Sequence, residues 1–248
     1  MKRTERQHLK HRPLQEAVLK AHTWALENQR SLVVAVATVA VVAVGVAGYM
    51  AWKRGVENEA RAMLAAAMVI DEARVMPPGP PAGTTNDPTA VGGQPPGTYA
   101  TEKEKLDASL PKFLAAADAF PGTQTERTAR YHAATNLVAL GRFDEAATQY
   151  DRVIAAGEGV LARMARLGKA EAQLRAAQYD PAIATFKELA EQTDGPLPVD
   201  ALLMELARAY RLAGKAEDAR KTLDQVVEKH ADSPFAAEAR AEIAKMKG

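Results

Sequence analysis

The sequence predicts an all-α protein, with a single N-terminal transmembrane helix followed by an α-solenoid of helical hairpins. Three observations lead to this. Residues 31–52 contain no charged side chain, and three later stretches align with one another at spacings of 36 and 37 residues. Composition is the third. Much of the 47% apolar fraction is Ala and only 5% of residues are aromatic. This balance suits closely packed helices, because Ala loses no side-chain entropy in a helix. No stretch reads as a convincing strand.

Ser31 to Trp52 reads SLVVAVATVAVVAVGVAGYMAW. At about 1.5 Å of rise per residue a helix of this length covers roughly 33 Å, enough for a hydrocarbon core of about 30 Å. Tyr49 and Trp52 stand at one end, followed by Lys53 and Arg54, and Arg30 closes the other. Aromatic rings favour the headgroup level and cations the water beyond it. The stretch is longer than the roughly 7–15 residues of a secretory h-region. It also follows a long polar tail, so it reads as an uncleaved signal anchor. Residues 1–30 carry seven Lys/Arg against three Asp/Glu. This bias places the N-terminus in the cytoplasm and the large C-terminal part outside it. Within the span, Ala43, Ala47 and Ala51 recur at four-residue spacing, with Gly45 and Gly48 nearby. Small residues on one face permit close helix approach, but an ordinary span in an Ala-rich chain accounts for them too.

The organisation then reads as five parts. Residues 1–30 form a basic tail, in which His8 and His11 make too bare a pair for a metal site. Residues 31–52 are the membrane helix. Residues 53–76 form a membrane-proximal helix, continuing the span and stopped by Pro77 and Pro78. Residues 77–99 hold seven Pro and five Gly, a composition that predicts a mobile linker. Residues 100–248 are the repeat domain. Its first helix opens at Thr101, capped with Glu104, and is expected to break or kink near Pro111 before Phe120. Thr123 and Glu126 repeat the capping pattern.

The repeat is carried by LVALGRFDEAATQYDRVI (137–154), AQLRAAQYDPAIATFKELA (172–190) and AYRLAGKAEDARKTLDQVV (209–227). Each has a helix end, a Gly or Ala turn, an acidic residue, a small Ala and a bulky residue four positions on. The pairs are Ala146/Tyr150, Ala182/Phe186 and Ala219/Leu223. Self-similarity at this period marks a helical solenoid. The copies span about 123–157, 160–194 and 199–231, and a capping helix over 234–246 begins with Pro234 at its first position.

These motifs resemble the tetratricopeptide repeat (TPR). Leu206-Ala207, Tyr210, Gly214 and Ala219 match it in the third copy, and Ala133-Ala134, Leu137, Gly141, Ala146 and Tyr150 in the first. The second copy departs. Its Leu167-Gly168 pair lies two residues farther from Ala182 than Leu206-Ala207 lies from Ala219, and Ala177 replaces the turn Gly. A longer first helix or a looser turn is expected there. The basic tail, single span, continuing helix and repeats, with KFLAAADAFPGTQTERTARYHAATNLVALGRFDEAA (112–147), together resemble the YfgM-like ancillary subunits of the SecYEG translocon. The long Pro/Gly loop departs from that pattern. The resemblance implies a bacterial inner-membrane protein with a cytoplasmic N-terminus and a periplasmic repeat domain. It also implies an adaptor between the Sec translocon and periplasmic chaperones. A coordinator of envelope assembly or cell division, or a regulatory tether for a membrane-associated enzyme, would use the same architecture.

No chemistry-bearing constellation stands out. The chain has no Cys, so it has neither disulfides nor thiolate ligands. No Ser or Thr has a plausible His and Asp set, and no Gly-rich segment follows a strand. The reading is therefore a non-enzymatic scaffold without cofactor, metal, small-molecule substrate or nucleic-acid partner. It binds other proteins through the inner face of the first helix of each repeat and the membrane through residues 31–52. By the repeat phase Tyr131, Thr135, Val138, Lys169, Met204, Arg208 and Arg211 are candidates for that face. Arg208 and Arg211, three apart, would suit an acidic group.

The charge bias makes a topological prediction. Protease added to spheroplasts should cut within residues 77–99 and leave the first thirty intact. Protection of that loop until the membrane is opened would reverse the assigned orientation.

Overall fold

The computed structural model describes Trp24 and residues 28–79, 94–192 and 195–246. Most of the basic tail, including His8 and His11, and residues 80–93 of the Pro/Gly loop lie outside the described residues. Among the described residues there are nine helices and one two-stranded sheet. The helices are α1 (Gln29–Asp71), α2 (Glu102–Ala119), α3 (Gln124–Ala139), α4 (Phe143–Ala155), α5 (Val160–Arg175), α6 (Tyr179–Glu191), α7 (Val199–Leu212), α8 (Ala216–Lys229) and α9 (Ala236–Lys245). The strands are β1 (Arg74–Val75) and β2 (Thr98–Tyr99).

The chain divides into two compact units, residues 1–55 and 56–248, and α1 contributes to both. In the first unit α1 is long and apolar enough to cross a membrane, and its most apolar window is wholly exposed. In the second unit the remaining turns of α1 are the outermost helix of the repeat array. Ala60 and Ala67 are fully buried, and Met63, Leu64 and Met68 pack against a core that includes Leu110, Phe113, Ala133 and Leu137. Both ends of this segment are pinned. Thr125 Oγ1 donates to Glu57 Oε1 at 2.8 Å. At the other end Asp71 Oδ1 accepts from Ser109 Oγ at 3.0 Å and from Asn136 Nδ2 at 2.8 Å.

The helix ends at Asp71, well before Pro77, so proline is not what stops it. The chain leaves helix because Arg74–Val75 pairs in parallel with Thr98–Tyr99, and Met76 N–H donates to the Tyr99 carbonyl at 2.9 Å. Strands this short leave no periodic signal in the sequence. The Gln94 amide, bonded to the Met76 carbonyl and to Thr98 Oγ1, closes the base of the loop. α2 runs unbroken through Pro111. Proline removes one helical hydrogen bond, but Pro111 is exposed, so water can satisfy the freed carbonyl. Thr101 and Thr123 cap α2 and α3 through the Glu104 and Glu126 amides. The Glu126 carboxylate reaches back to the Gly122 amide.

From α3 onward the hairpins are α3/α4, α5/α6 and α7/α8, closed by α9. The small residues Ala146, Ala182 and Ala219 and their bulky partners Tyr150, Phe186 and Leu223 are all buried. Ser109 and Phe113, both fully buried on α2, precede Ala146 and Tyr150 by 37 residues. Helix α2 is thus the second helix of a further hairpin, whose first helix is residues 56–71 of α1. The sequence hides it, because Ser stands in for Ala and the long loop separates its two helices.

The second turn is not looser than the others. Gln178 N–H donates to the Gln173 carbonyl at 2.8 Å, as Arg142 does to Leu137 at 2.8 Å and Lys215 to Tyr210 at 2.9 Å. Ala177 adopts φ 58°, matching Gly141 at 75° and Gly214 at 74°. The three first helices are in register by their ends. Fully buried Ala170, rather than Gly168, therefore stands where Ala134 and Ala207 stand. Neighbouring second helices are linked at their starts: Gln178 Nε2 donates to Asp144 at 3.1 Å, and Lys215 Nζ to Asp180 at 2.7 Å. Helix α9 starts at Ala236 instead of Pro234. Ser233 Oγ donates to Asp200 at 2.5 Å and accepts from the Phe235 amide at 3.0 Å, which holds Pro234 and Phe235 in a turn.

A left-handed Ala is strained by its Cβ, at about 1 kcal/mol, and this strain is relieved by Gly. Ala177→Gly should therefore raise the thermal midpoint by roughly 2–4 °C, the shift expected for a domain of this size. A lower midpoint in a calorimetric melt would refute the strain.

Candidate partner-binding groove

The first helices repeat at 36 and 37 residues, so each inner position recurs once per copy. One row is Tyr131, Leu167 and Met204, and the next is Thr135, Glu171 and Arg208. Tyr131 is half-buried edge-on against Tyr150, with ring centroids 5.8 Å apart. Thr135 Oγ1 lies 3.3 Å from the Tyr150 hydroxyl. The Tyr150 ring occupies the space beside Gly168, where an added Cβ would come within 2.5 Å of Cζ. Val138 packs against the first core. Lys169 falls out of phase and pairs with Asp151 on α4 at 2.6 Å, leaving the inner positions of the second copy to Leu167 and Glu171.

The third copy brings Met204, Arg208 and Arg211 together with Glu238, Glu242 and Met246 around a cavity of about 100 Å³, with Ala219 and Leu223 behind them. Each arginine faces a carboxylate of its own chain: Arg208 lies 3.4 Å from Glu205, and Arg211 3.9 Å from Glu242. A second cavity of about 260 Å³ adjoins it. Its apolar lining includes Leu167, Leu197, Leu202, Met204 and Phe235, and its carboxylates are Glu171, Glu205 and Glu238. The two cavities share Met204, Glu205 and Glu238, and so form one groove across α5, α7 and α9.

Electrostatics distinguish the groove. Burial pushes the Glu171 carboxyl up from its ordinary range and nearby Glu205 adds to this, while Arg175 and Arg208 oppose it. Burial also raises the Tyr131 hydroxyl, again with a contribution from Glu171. Tyr150 is raised by burial against the Thr135 hydrogen bond. His132, next to Tyr131 on α3 and edge-on to it with centroids 6.0 Å apart, stacks on Phe113 of α2 with centroids 5.2 Å apart. Burial lowers its pKa, with Asp71 and Glu72 opposing, so it packs as a neutral ring. Among the described residues no group of three His, Asp or Glu is placed to hold a metal ion.

The sequence reading missed Leu167 and Glu171, although stepping 36 residues from Tyr131 and Thr135 finds both. It also missed Glu238, Glu242 and Met246. These belong to α9 and its C-terminal cap, outside the repeat, and carry no periodic signal.

Comparison with known proteins agrees with this geometry. Tetratricopeptide-repeat family models match residues 131–196 and 200–233. Within residues 131–233 the chain is therefore built of tetratricopeptide repeats. Among solved structures, the TPR-like repeats of a putative kinesin light chain from Podosopora anserina superpose with a TM-score of 0.52 at 17% identity, over 58% of this chain and 79% of that one. A variant of the same protein gives 0.51 at 17%, over 58% and 78%. A tetratricopeptide-repeat protein from Parabacteroides merdae gives 0.49 at 16%, over 59% and 56%. At 17% identity and TM-scores above 0.5, the likeness to the kinesin light chain repeats is one of fold. No curated protein sequence matches the chain.

Because Glu171 has a raised pKa when folded, folding favours its protonated form. That contribution is fully present below the unfolded-state value and is lost as pH rises through the folded one. The ionised form is disfavoured because the carboxylate is half-buried beside Glu205, with Arg175 and Arg208 only partly offsetting this. Glu171→Gln should therefore melt higher than the parent at pH 7, with the gap closing as the pH falls below the ordinary glutamate range. Parallel melts showing a pH-independent difference would contradict this.

Proposed function

We propose that the protein is a membrane-tethered adaptor, whose repeats hold a segment of another polypeptide in the α5–α7–α9 groove while the apolar part of α1 anchors it. The observation that carries this reading is the groove itself: exposed Arg, half-buried Glu and Met side chains converge there from separate helices of a repeat array. Solenoids offer such continuous surfaces for binding, and Met adapts to varied apolar sequences. The resemblance to YfgM-like proteins extends the reading to the periplasmic side of a bacterial inner membrane, between the Sec translocon and periplasmic chaperones.

A photo-crosslinking amino acid tests the surface without changing its charge. Placed in living cells at Met204 or Arg208, it should yield a discrete adduct with a second protein. Placed at Lys221 or Lys229, exposed on α8, it should not. Adducts from the α8 positions alone would move the binding surface elsewhere. The adduct's identity, whether a translocon subunit, a chaperone, a division protein or an enzyme, decides among the cellular roles.

A further inference from the structure

The larger cavity carries a charge pattern that the fold itself does not need. Leu167, Met204 and Phe235 give it apolar walls, Glu171, Glu205 and Glu238 surround it, and no Lys or Arg lines it. Several carboxylates elsewhere in the repeat unit have a cationic partner: Asp118 and Glu126 have Arg130, Asp151 has Lys169, Asp180 has Lys215 and Glu242 has Arg211. Here only Glu205 has such a partner, at 3.4 Å from Arg208. Among the described residues Glu171 and Glu238 form no ion pair. Glu171 is half-buried with no cation in contact, which is destabilising, and the burial and repulsion that raise its pKa outweigh the opposing pull of Arg175 and Arg208. An apolar residue at position 171 would remove this cost.

We propose that this cavity receives a basic residue flanked by apolar ones from the bound polypeptide, with the Lys or Arg head among Glu171, Glu205 and Glu238 and the apolar neighbours against Leu167, Met204 and Phe235. This rests on the adaptor reading and names the chemistry of its partner. A Lys or Arg stem buries its methylenes along an apolar wall while its charged end reaches a polar rim, which is the arrangement the cavity offers. Charge complementarity of this kind governs which partners are accepted. An acidic segment is disfavoured, because it would meet three carboxylates, and Arg208 and Arg211 already face Glu205 and Glu242.

The test uses the full chain in nanodiscs of zwitterionic lipid, with empty discs as the blank. Three dye-labelled Gly/Ser peptides differ only at their centre: Leu-Lys-Leu, Leu-Glu-Leu and Ser-Lys-Ser. Anisotropy at low salt should show binding of the first, weaker binding of the third and none of the second. The combined variant Glu171→Gln, Glu205→Gln, Glu238→Gln should weaken the first by about tenfold or more, as expected for loss of close charge pairs, while its melt stays cooperative. Binding of Leu-Glu-Leu as tight as Leu-Lys-Leu would overturn the proposal. So would unchanged affinity in the glutamine variant. If no peptide binds while crosslinks at Met204 form in cells, the basic-residue chemistry is wrong and the adaptor reading stands. If crosslinks are absent too, both fall.

Discussion

The structure depends on one packing constraint: the second helix of each hairpin must present a small side chain where its partner crosses. Ser109, Ala146, Ala182 and Ala219 meet it, all essentially without exposed surface. Interiors pack at crystal-like density, so one added methylene at such a point is felt throughout the contact. The residue four positions on then fills the space that close approach creates beside it. Phe113, Tyr150, Phe186 and Leu223 do this in turn, and the Tyr150 ring does so tightly enough to require glycine at 168.

Because the contacts recur, the array extends in both directions past the residues that advertise it. At one end the last turns of α1 enter the stack through Ala60 and Ala67. Hydrogen bonds from Thr125, Ser109 and Asn136 to Glu57 and Asp71 hold them. These polar groups are satisfied on burial, so they orient the segment at little net cost. At the other end α9 covers the open face of the third copy and adds Glu238, Glu242 and Met246 to the groove.

The groove and the core therefore answer to different pressures. Core positions must be small or bulky in alternation, whereas inner positions of the first helices are free to vary: Thr135, Glu171 and Arg208 are equivalent in place and unrelated in chemistry. Glu171 shows the consequence, since its carboxyl is held in surroundings that disfavour its charge. Local destabilisation of this kind is expected where a surface serves binding rather than stability.

The sequence by itself determined the helical class, the period and the glycine turns of the first and third copies. These follow from local chemistry: capping threonines, an αL glycine after the first helix of each of those copies, and small residues at fixed spacing within one helix. It also determined the apolar stretch of α1, which depends only on composition. Only the tertiary structure decided where α1 ends and that its last turns belong to the array, since Asp71 meets Ser109 and Asn136 across 38 and 65 residues of chain. The same holds for the phase of the second copy. Gly168 looks like a repeat signature, but it answers to Tyr150 of the preceding hairpin, and the true register puts Glu171 rather than Lys169 in the groove. Side chains brought together by packing between non-adjacent helices, such as Arg211 and Glu242, have no spacing in sequence that could reveal them.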